Sequence, residues 1–362
     1  MQRSQRRRRK DAERTQKAPS ASAVILQAQR FCVFAMLLVL GLSVSALAQP
    51  GPTVRPAPKF QERNAIEKRV ELGADDTVIL YNRFGNVACL GAGSGDAQIK
   101  VELTAGGETR NDARDFVQRM TLVAERQGRR LRVKVSCPET SAATEYSSNF
   151  NLRLPARVVL QVENTYGDVA VDDMRGAVLV RNRFGSTGIH NCRSAEVSSI
   201  VGDVNLTGIV ESSVVDNRFG NVSARNLQGS VQITSENGPI RVTACRGAFR
   251  LDSKLGDISI ASCQGRFSVN CNLARVVFEQ SVRAPDTVTI RNRNGGIELN
   301  LPAEPSAQIA ARANQGQVNC GLPGATASRG SDGESLVCTL GAGQASFDLE
   351  TSGGPIRVSA AP

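Results

Sequence analysis

Carboxylates, arginine–aromatic pairs, cysteines and one histidine are the residues of this chain whose types and spacing bear on chemistry. Asp168, Asp203 and Asp257 each directly follow a glycine, and two carboxylates flanking a sugar linkage are the machinery of glycoside cleavage. Arg83-Phe84, Arg183-Phe184 and Arg218-Phe219 each directly precede a glycine. A cation beside a ring suits anionic sugars or lipid headgroups, through charge and stacking. Cys32 is followed by eight further cysteines, and His190 is the single histidine. One histidine excludes most His-rich metal sites and leaves a triad dependent on His190 alone. A Cys-x-x-Cys spacing is absent, as are a P-loop, a dinucleotide fingerprint, a calcium loop and a nucleophile elbow.

The elements that position these residues follow from an internal repeat. Aligned on one glycine, the copies read Asn164-Thr165-Tyr166-Gly167-Asp168-Val169, Asn182-Arg183-Phe184-Gly185-Ser186-Thr187, Ser199-Ile200-Val201-Gly202-Asp203-Val204 and Asn217-Arg218-Phe219-Gly220-Asn221-Val222. Ser235-Glu236-Asn237-Gly238-Pro239-Ile240 and Ser253-Lys254-Leu255-Gly256-Asp257-Ile258 continue the series, so the glycines step by 18, 17, 18, 18 and 18 residues. Ala274 takes the next step, and Gly295 and Gly316 follow at 21 residues each. The segment beginning Asn82-Arg83-Phe84-Gly85 is an early copy, and Thr351-Ser352-Gly353-Gly354 a last one.

Within each copy the apolar period is two, which predicts strands. Val169, Val204, Val222, Ile240 and Ile258 stand two residues after the glycine. Val171, Ile189, Leu206, Val242 and Ile260 stand four after it, on the same inward face. Seven after it come Met174, Cys192, Ile209, Leu227, Cys245 and Cys263, then a second turn and a second strand. Such a unit buries its apolar face only against neighbours. The sequence therefore predicts an all-β, single-stranded parallel β-solenoid, a β-helix with coils of ~18 residues and right-handed by expectation, with one short flanking helix.

Stacked coils turn repeat positions into ladders ~4.8 Å apart. The residue three before each glycine, from Asn164 through Ser253 to Cys271, makes a polar corner ladder that hydrogen-bonds the turn. A corner with positive φ explains the glycine. Asp168 and Asp203 fall two coils apart, ~10 Å by that spacing. This only touches the upper end of the ~6.5–9.5 Å of an inverting carboxylate pair, and a residue after a corner glycine is turn chemistry first. The register predicts that Ile258→Asp unfolds the body while Asp257→Ala leaves its melting temperature nearly unchanged.

Leu154-Pro155, the Val162–Val169 motif and its successors, and Leu301-Pro302 with Asn314-Gln315-Gly316-Gln317-Val318 resemble the bacterial putative-adhesin family of β-strand-repeat domains. That family is a domain of unknown function related to autotransporter-adhesin head domains. The resemblance runs over residues 68 to 360 and implies an exported solenoid with no catalytic residue to carry over.

The ends and the charge set the compartment. The net charge is +10, but residues 1–48 hold 9 Lys/Arg and 2 Asp/Glu. The rest has 35 basic and 32 acidic residues, a net +3. The body therefore has no broad footprint for nucleic acid. A basic run at Arg6–Lys10, an apolar run from Phe31 and Ala46-Leu47-Ala48 predict a signal peptide cleaved before Gln49. The alternative is an uncleaved N-terminal membrane anchor, the only expected contact with a membrane. Both place the body in the periplasm, outside the cell or on its surface. Residues 49–67 are expected to form a Pro-rich linker. Residues 68–155 then form an N-terminal β cap with a helix over Asp112–Met120, 156–300 the solenoid repeats, and 301–362 C-terminal coils with a Gly/Ser-rich insertion.

Eight exported cysteines permit disulfides. Cys320 and Cys338 flank the insertion and are the first candidate pair, Cys89 and Cys137 the second, while Cys192, Cys245 and Cys263 read as small buried hydrophobes. No cofactor, metal or catalytic residue is expected. Arg83, Phe84, Arg183, Phe184, Arg218 and Phe219 are the candidate binding residues; the plainer account has Phe plugging the corner and Arg merely solvated. The expected function is a non-catalytic cell-envelope binding or scaffolding module whose partner is a glycan or an envelope protein. The alternatives are a carbohydrate-active β-helix enzyme and a purely structural envelope protein.

Overall fold

A computed structural model describes residues 59–361, except residue 94 and residues 139–142, 281–285, 323–327 and 331–332. The leader and residues 49–58 lie outside the described residues. The remainder of the expected linker is not a linker: β1 (Phe60–Val70) pairs antiparallel along its whole length with β4 (Ala97–Gly107). The prolines that oppose a sheet end at Pro58, and Phe60 onward is free to donate to a neighbour. β2 (Thr77–Phe84) and β3 (Val87–Ala92) lie between these two strands in sequence.

After β4 comes α1 (Arg110–Arg119), starting two residues before the expected span and ending one before it, because Thr109 caps it by accepting the Asp112 backbone N–H at 3.1 Å. Its buried face is Ala113, Phe116 and Val117, and it packs on β1 and β4. The expected hairpin follows as β5 (Thr121–Gln127) and β6 (Arg130–Ser136), and then β7 (Ala143–Pro155) lies between β3 and β4.

From Val159 onward long and short strands alternate: β8 (Val159–Tyr166), β9 (Val169–Asp172), β10 (Ala177–Phe184), β11 (Thr187–His190), β12 (Ser194–Val201) and β13 (Val204–Thr207). The series runs on through β14 (Ser212–Phe219), β15 (Val222–Arg225), β16 (Gln228–Asn237), β17 (Ile240–Thr243), β18 (Arg246–Ser253) and β19 (Ile258–Ala261). β20 (Gln264–Cys271), β21 (Val276–Glu279), β22 (Thr287–Asn292) and β23 (Ile297–Leu301) complete it. Long strands pair in parallel with long ones and short with short, giving two sheets of 15 and 14 strands. Register follows the sequence step: Val162 faces Val180, Val180 faces Val197, and Val197 faces Val215. All four are buried, and the inward ladders read from the glycine frame, including Met174, Cys192, Ile209 and Leu227, form one core.

At both ends spatial order departs from chain order. β2 and β3 stack directly on β8 and β9, so residues 97–155 are an excursion that extends both sheets beyond the first copy. At the other end come β24 (Ala307–Ala313), β25 (Val318–Cys320), β26 (Ser328–Gly330), β27 (Gly333–Leu340), β28 (Ala345–Thr351) and β29 (Ile356–Ala360). β28 sits between β22 and β24, and β29 between β23 and β25. The last copy is thus inserted beneath the copy that precedes it in sequence, a correction to the expectation of coils stacked in chain order.

Close backbone approach sets the corner. A Cβ on Gly167 would stand 2.2 Å from the Gly85 carbonyl oxygen, and one on Gly185 2.1 Å from that of Gly167. Gly167 and Gly185 also have φ of 125° and 135°. Gly256 is not in the left-handed region, yet its Cβ would lie 1.8 Å from the Gly238 oxygen. Space, more than φ, is what demands glycine there.

Candidate functional site

The expected polar corner ladder is built. Asn164, Asn182, Ser199, Asn217, Ser235 and Ser253 are all buried. Asn164 and Asn217 donate from Nδ2 to the carbonyls of Gly167 and Gly220 at 2.7 and 2.8 Å, and Ser253 Oγ donates to Gly256 O at 2.7 Å. These bonds hold their corners in one shape and so fix the residue just before the glycine; the buried Ser199 hydroxyl makes no such bond.

That residue points outward. Phe84, Tyr166 and Phe184 occupy it in three adjacent copies and stack face to face: ring centroids are 5.3 Å apart at 11° and then 4.9 Å apart at 9°. Val201 and Phe219 continue the row in register, 37% and 38% exposed, after Tyr166 at 46%. Asn237 interrupts the row next to Phe219, and Leu255 and Leu273 resume it beyond, each 53% exposed. Phe therefore does not plug the corner; the core interior is already filled by the +2 and +4 ladders, and the ring remains outside. The Phe84 end is anchored by Tyr146, edge-on at 5.1 Å, which in turn meets Phe116 of α1.

Of the six candidate residues, the structure brings Phe84, Phe184 and Phe219 into one row. Arg83 lies over the Phe84 ring with its guanidinium carbon 5.1 Å from the centroid. Arg183 and Arg218 are exposed beside their own rings, two copies apart by the register. Tyr166 belongs to the same row, and its signal was in the repeat alignment, where it occupies the position before Gly167. Leu255 and Leu273 share that position.

The carboxylates have a different job. Asp168 Oδ1 accepts the Ser186 backbone N–H, Asp203 Oδ1 that of Asn221, and Asp257 Oδ1 that of Arg275, each at 2.8 Å. Asn86 does the same for the Asp168 N–H at 2.9 Å. Each side chain caps the turn of the next copy, so turn architecture accounts for the row.

The eight cysteines among the described residues are free thiols, Cys320 and Cys338, the first candidate pair, among them. Burial pushes Cys192 up to about 11 and Cys89 well above the usual thiol range. Cys89 neighbours Cys192 and Asp172, whereas Cys137 hydrogen-bonds with Tyr146; the second candidate pair is therefore not a pair. Burial, then the neighbouring Cys320, raises the Cys338 thiol. His190 closes the short strand β11, half-buried, with its backbone carbonyl bonded to Cys192 Sγ. Among the described residues no three metal-ligating side chains gather, and no helix is long and apolar enough to cross a membrane.

Fold and surface together define an all-β strand-repeat protein with long parallel sheets and an outward aromatic row along one corner. Over residues 142–275 the chain matches the family model described as Toastrack DUF4097, and the resemblance read from the repeat motifs holds over that span. None of the curated proteins compared matches. Among solved structures, the chain is similar to a putative cell adhesion protein from Clostridium sporogenes at 12% identity and TM-score 0.21, covering 83% of this chain and 100% of that one. A putative adhesin from Bacteroides fragilis gives 11% identity and TM-score 0.28, covering 82% and 97%. A putative lipid binding protein from Parabacteroides distasonis gives 10% identity and TM-score 0.28, covering 81% and 96%.

Proposed function

We propose that this is an exported, non-catalytic, adhesin-like module. Its two sheets are opposite walls of a right-handed β-solenoid with ~18-residue coils, and its outward corner row binds an extended glycan of the cell envelope. The observation that carries the reading is the stacked row of Phe84, Tyr166 and Phe184 with Arg83 over the first ring. The rings cover one another's faces and turn their edges outward, so the row is an apolar strip along which an extended sugar chain lies, and the arginines at 83, 183 and 218 favour acidic sugars. Rigidity matters here, because a surface fixed by its own hydrogen bonds loses little entropy on binding.

Migration of the purified protein through gels containing acidic or neutral envelope polysaccharides tests this reading, with sizing of each polymer afterwards. Retardation by an acidic polymer left at full length, lost in Arg183→Gln/Arg218→Gln, is the expected result. A shortened polymer would instead make the protein an enzyme, and no retardation by any polymer would leave a purely structural role.

A further inference from the structure

The opposite corner, where each short strand turns into the next long one, carries a second feature that the aromatic row does not explain. Arg157, Arg175 and Arg193 stand 18 residues apart. Their turns stack by backbone bonds: Arg175 N donates to Ala156 O at 2.6 Å, and Arg193 N to Met174 O at 2.9 Å. Three cations therefore share one ladder at ~4.8 Å spacing, an arrangement that repels.

Several cations on the body are matched by an acid of a neighbouring copy. Arg181 has Glu163 at 3.5 Å, Lys254 has Glu236 at 2.7 Å, and Arg291 has Asp348 and Glu350. In the ladder itself Arg193 has Glu211 at 2.7 Å. Arg157 and Arg175 are exposed, and neither has an ion pair or side-chain hydrogen bond among the described residues. The nearby Asp75 and Asp76 are held by Arg129 and Arg126. Both free arginines line a groove of 960 Å³ that is walled by Asp75, Val159, Gly176, Asn191 and the Arg193–Glu211 pair, and with Asp173 they line the adjoining cavity.

We infer that this groove is a binding site for a phosphate group, bridged by the guanidinium groups of Arg157 and Arg175. A tetrahedral dianion places separate oxygens toward two planar forks and cancels both charges, where a single carboxylate cancels one. The binding relieves the repulsion built into the ladder. The site is independent of the aromatic row, which lies on the other edge of the sheets.

The test is thermal unfolding of the full chain in millimolar inorganic phosphate against chloride at matched ionic strength. A rise of a few degrees is expected for the wild type, undiminished in Arg183→Gln/Arg218→Gln, and lost in Arg157→Gln/Arg175→Gln. The last variant should melt no lower than wild type in chloride, since it removes a repulsion. An absent rise, or one that survives Arg157→Gln/Arg175→Gln, overturns the proposal. Co-sedimentation with vesicles containing phosphatidic acid, whose headgroup is a phosphomonoester, against phosphatidylcholine vesicles, then separates the sources. Retention abolished by the double substitution makes the ligand a lipid headgroup. No retention, with the phosphate shift intact, makes it a soluble or polymer-borne phosphate.

Discussion

At the scale of the residue, position in the glycine frame decides what a side chain does. Ile258 and Asp257 are neighbours, yet one lies in the buried ladder and the other on the surface. Ile258→Asp buries a carboxylate without a partner and should cost ~4 kcal/mol or more, enough to unfold or aggregate the body. Asp257→Ala removes the 2.8 Å bond to the Arg275 N–H, so its cost is not nil, as position alone suggested, but ~1 kcal/mol. Urea titration of the two variants checks both values; equal losses would sink the register. The outward alternation was legible in sequence, whereas the capping bond was not, because it joins residues 18 apart whose turns meet only after stacking.

At the scale of the element, the corner is a backbone contact between copies. Gly256→Ala would put its methyl 1.8 Å from the Gly238 oxygen, and the neighbours on both sides are themselves fixed by the corner ladder. The expected loss is about 2–4 kcal/mol, although the backbone dihedral at this glycine suits alanine. Gly93 meets nothing within 4 Å of its missing Cβ, so Gly93→Ala is the control and should change the melting temperature little. Similar shifts for both would mean that the coils are not this close. The same elements explain why the aromatic row is outside: the interior between the sheets is already occupied by Val, Ile and Leu ladders, and a ring before the corner glycine has no room to turn inward.

At the scale of the whole molecule, the C-terminal strands close the structure. β28 and β29 each pair on both sides, so deleting residues 345–362 exposes the edges of β22, β23, β24 and β25 together. Unpaired edges of this kind template association. The truncated chain should therefore elute as dimers or larger species in size exclusion, and a synthetic peptide of residues 343–362 should return it to the monomer position. A truncated chain that stays monomeric and melts like the wild type would refute the interleaved order. At the opposite end α1 packs on β1 and β4, and β1, the outermost strand of its sheet, offers the charged run Glu67-Lys68-Arg69 along its edge.

The sequence by itself determined the strands, their inward faces and the corner ladder, since period-two alternation and the glycine step are local and survive any stacking order. It also placed the residues before the glycine in one row, which is how Phe84, Phe184 and Phe219 were found together. Only the tertiary structure decided which copy lies on which. Each copy presents the same pattern to either neighbour, so nothing in a single unit separates chain order from the interleaved order at β28 and β29, or shows that Phe60–Val70 pairs with Ala97–Gly107. Those choices depend on which edges remain unpaired and how far the connecting segments reach. The same holds for the unmatched Arg157 and Arg175, because a missing acid is visible only when the neighbouring copies are in place.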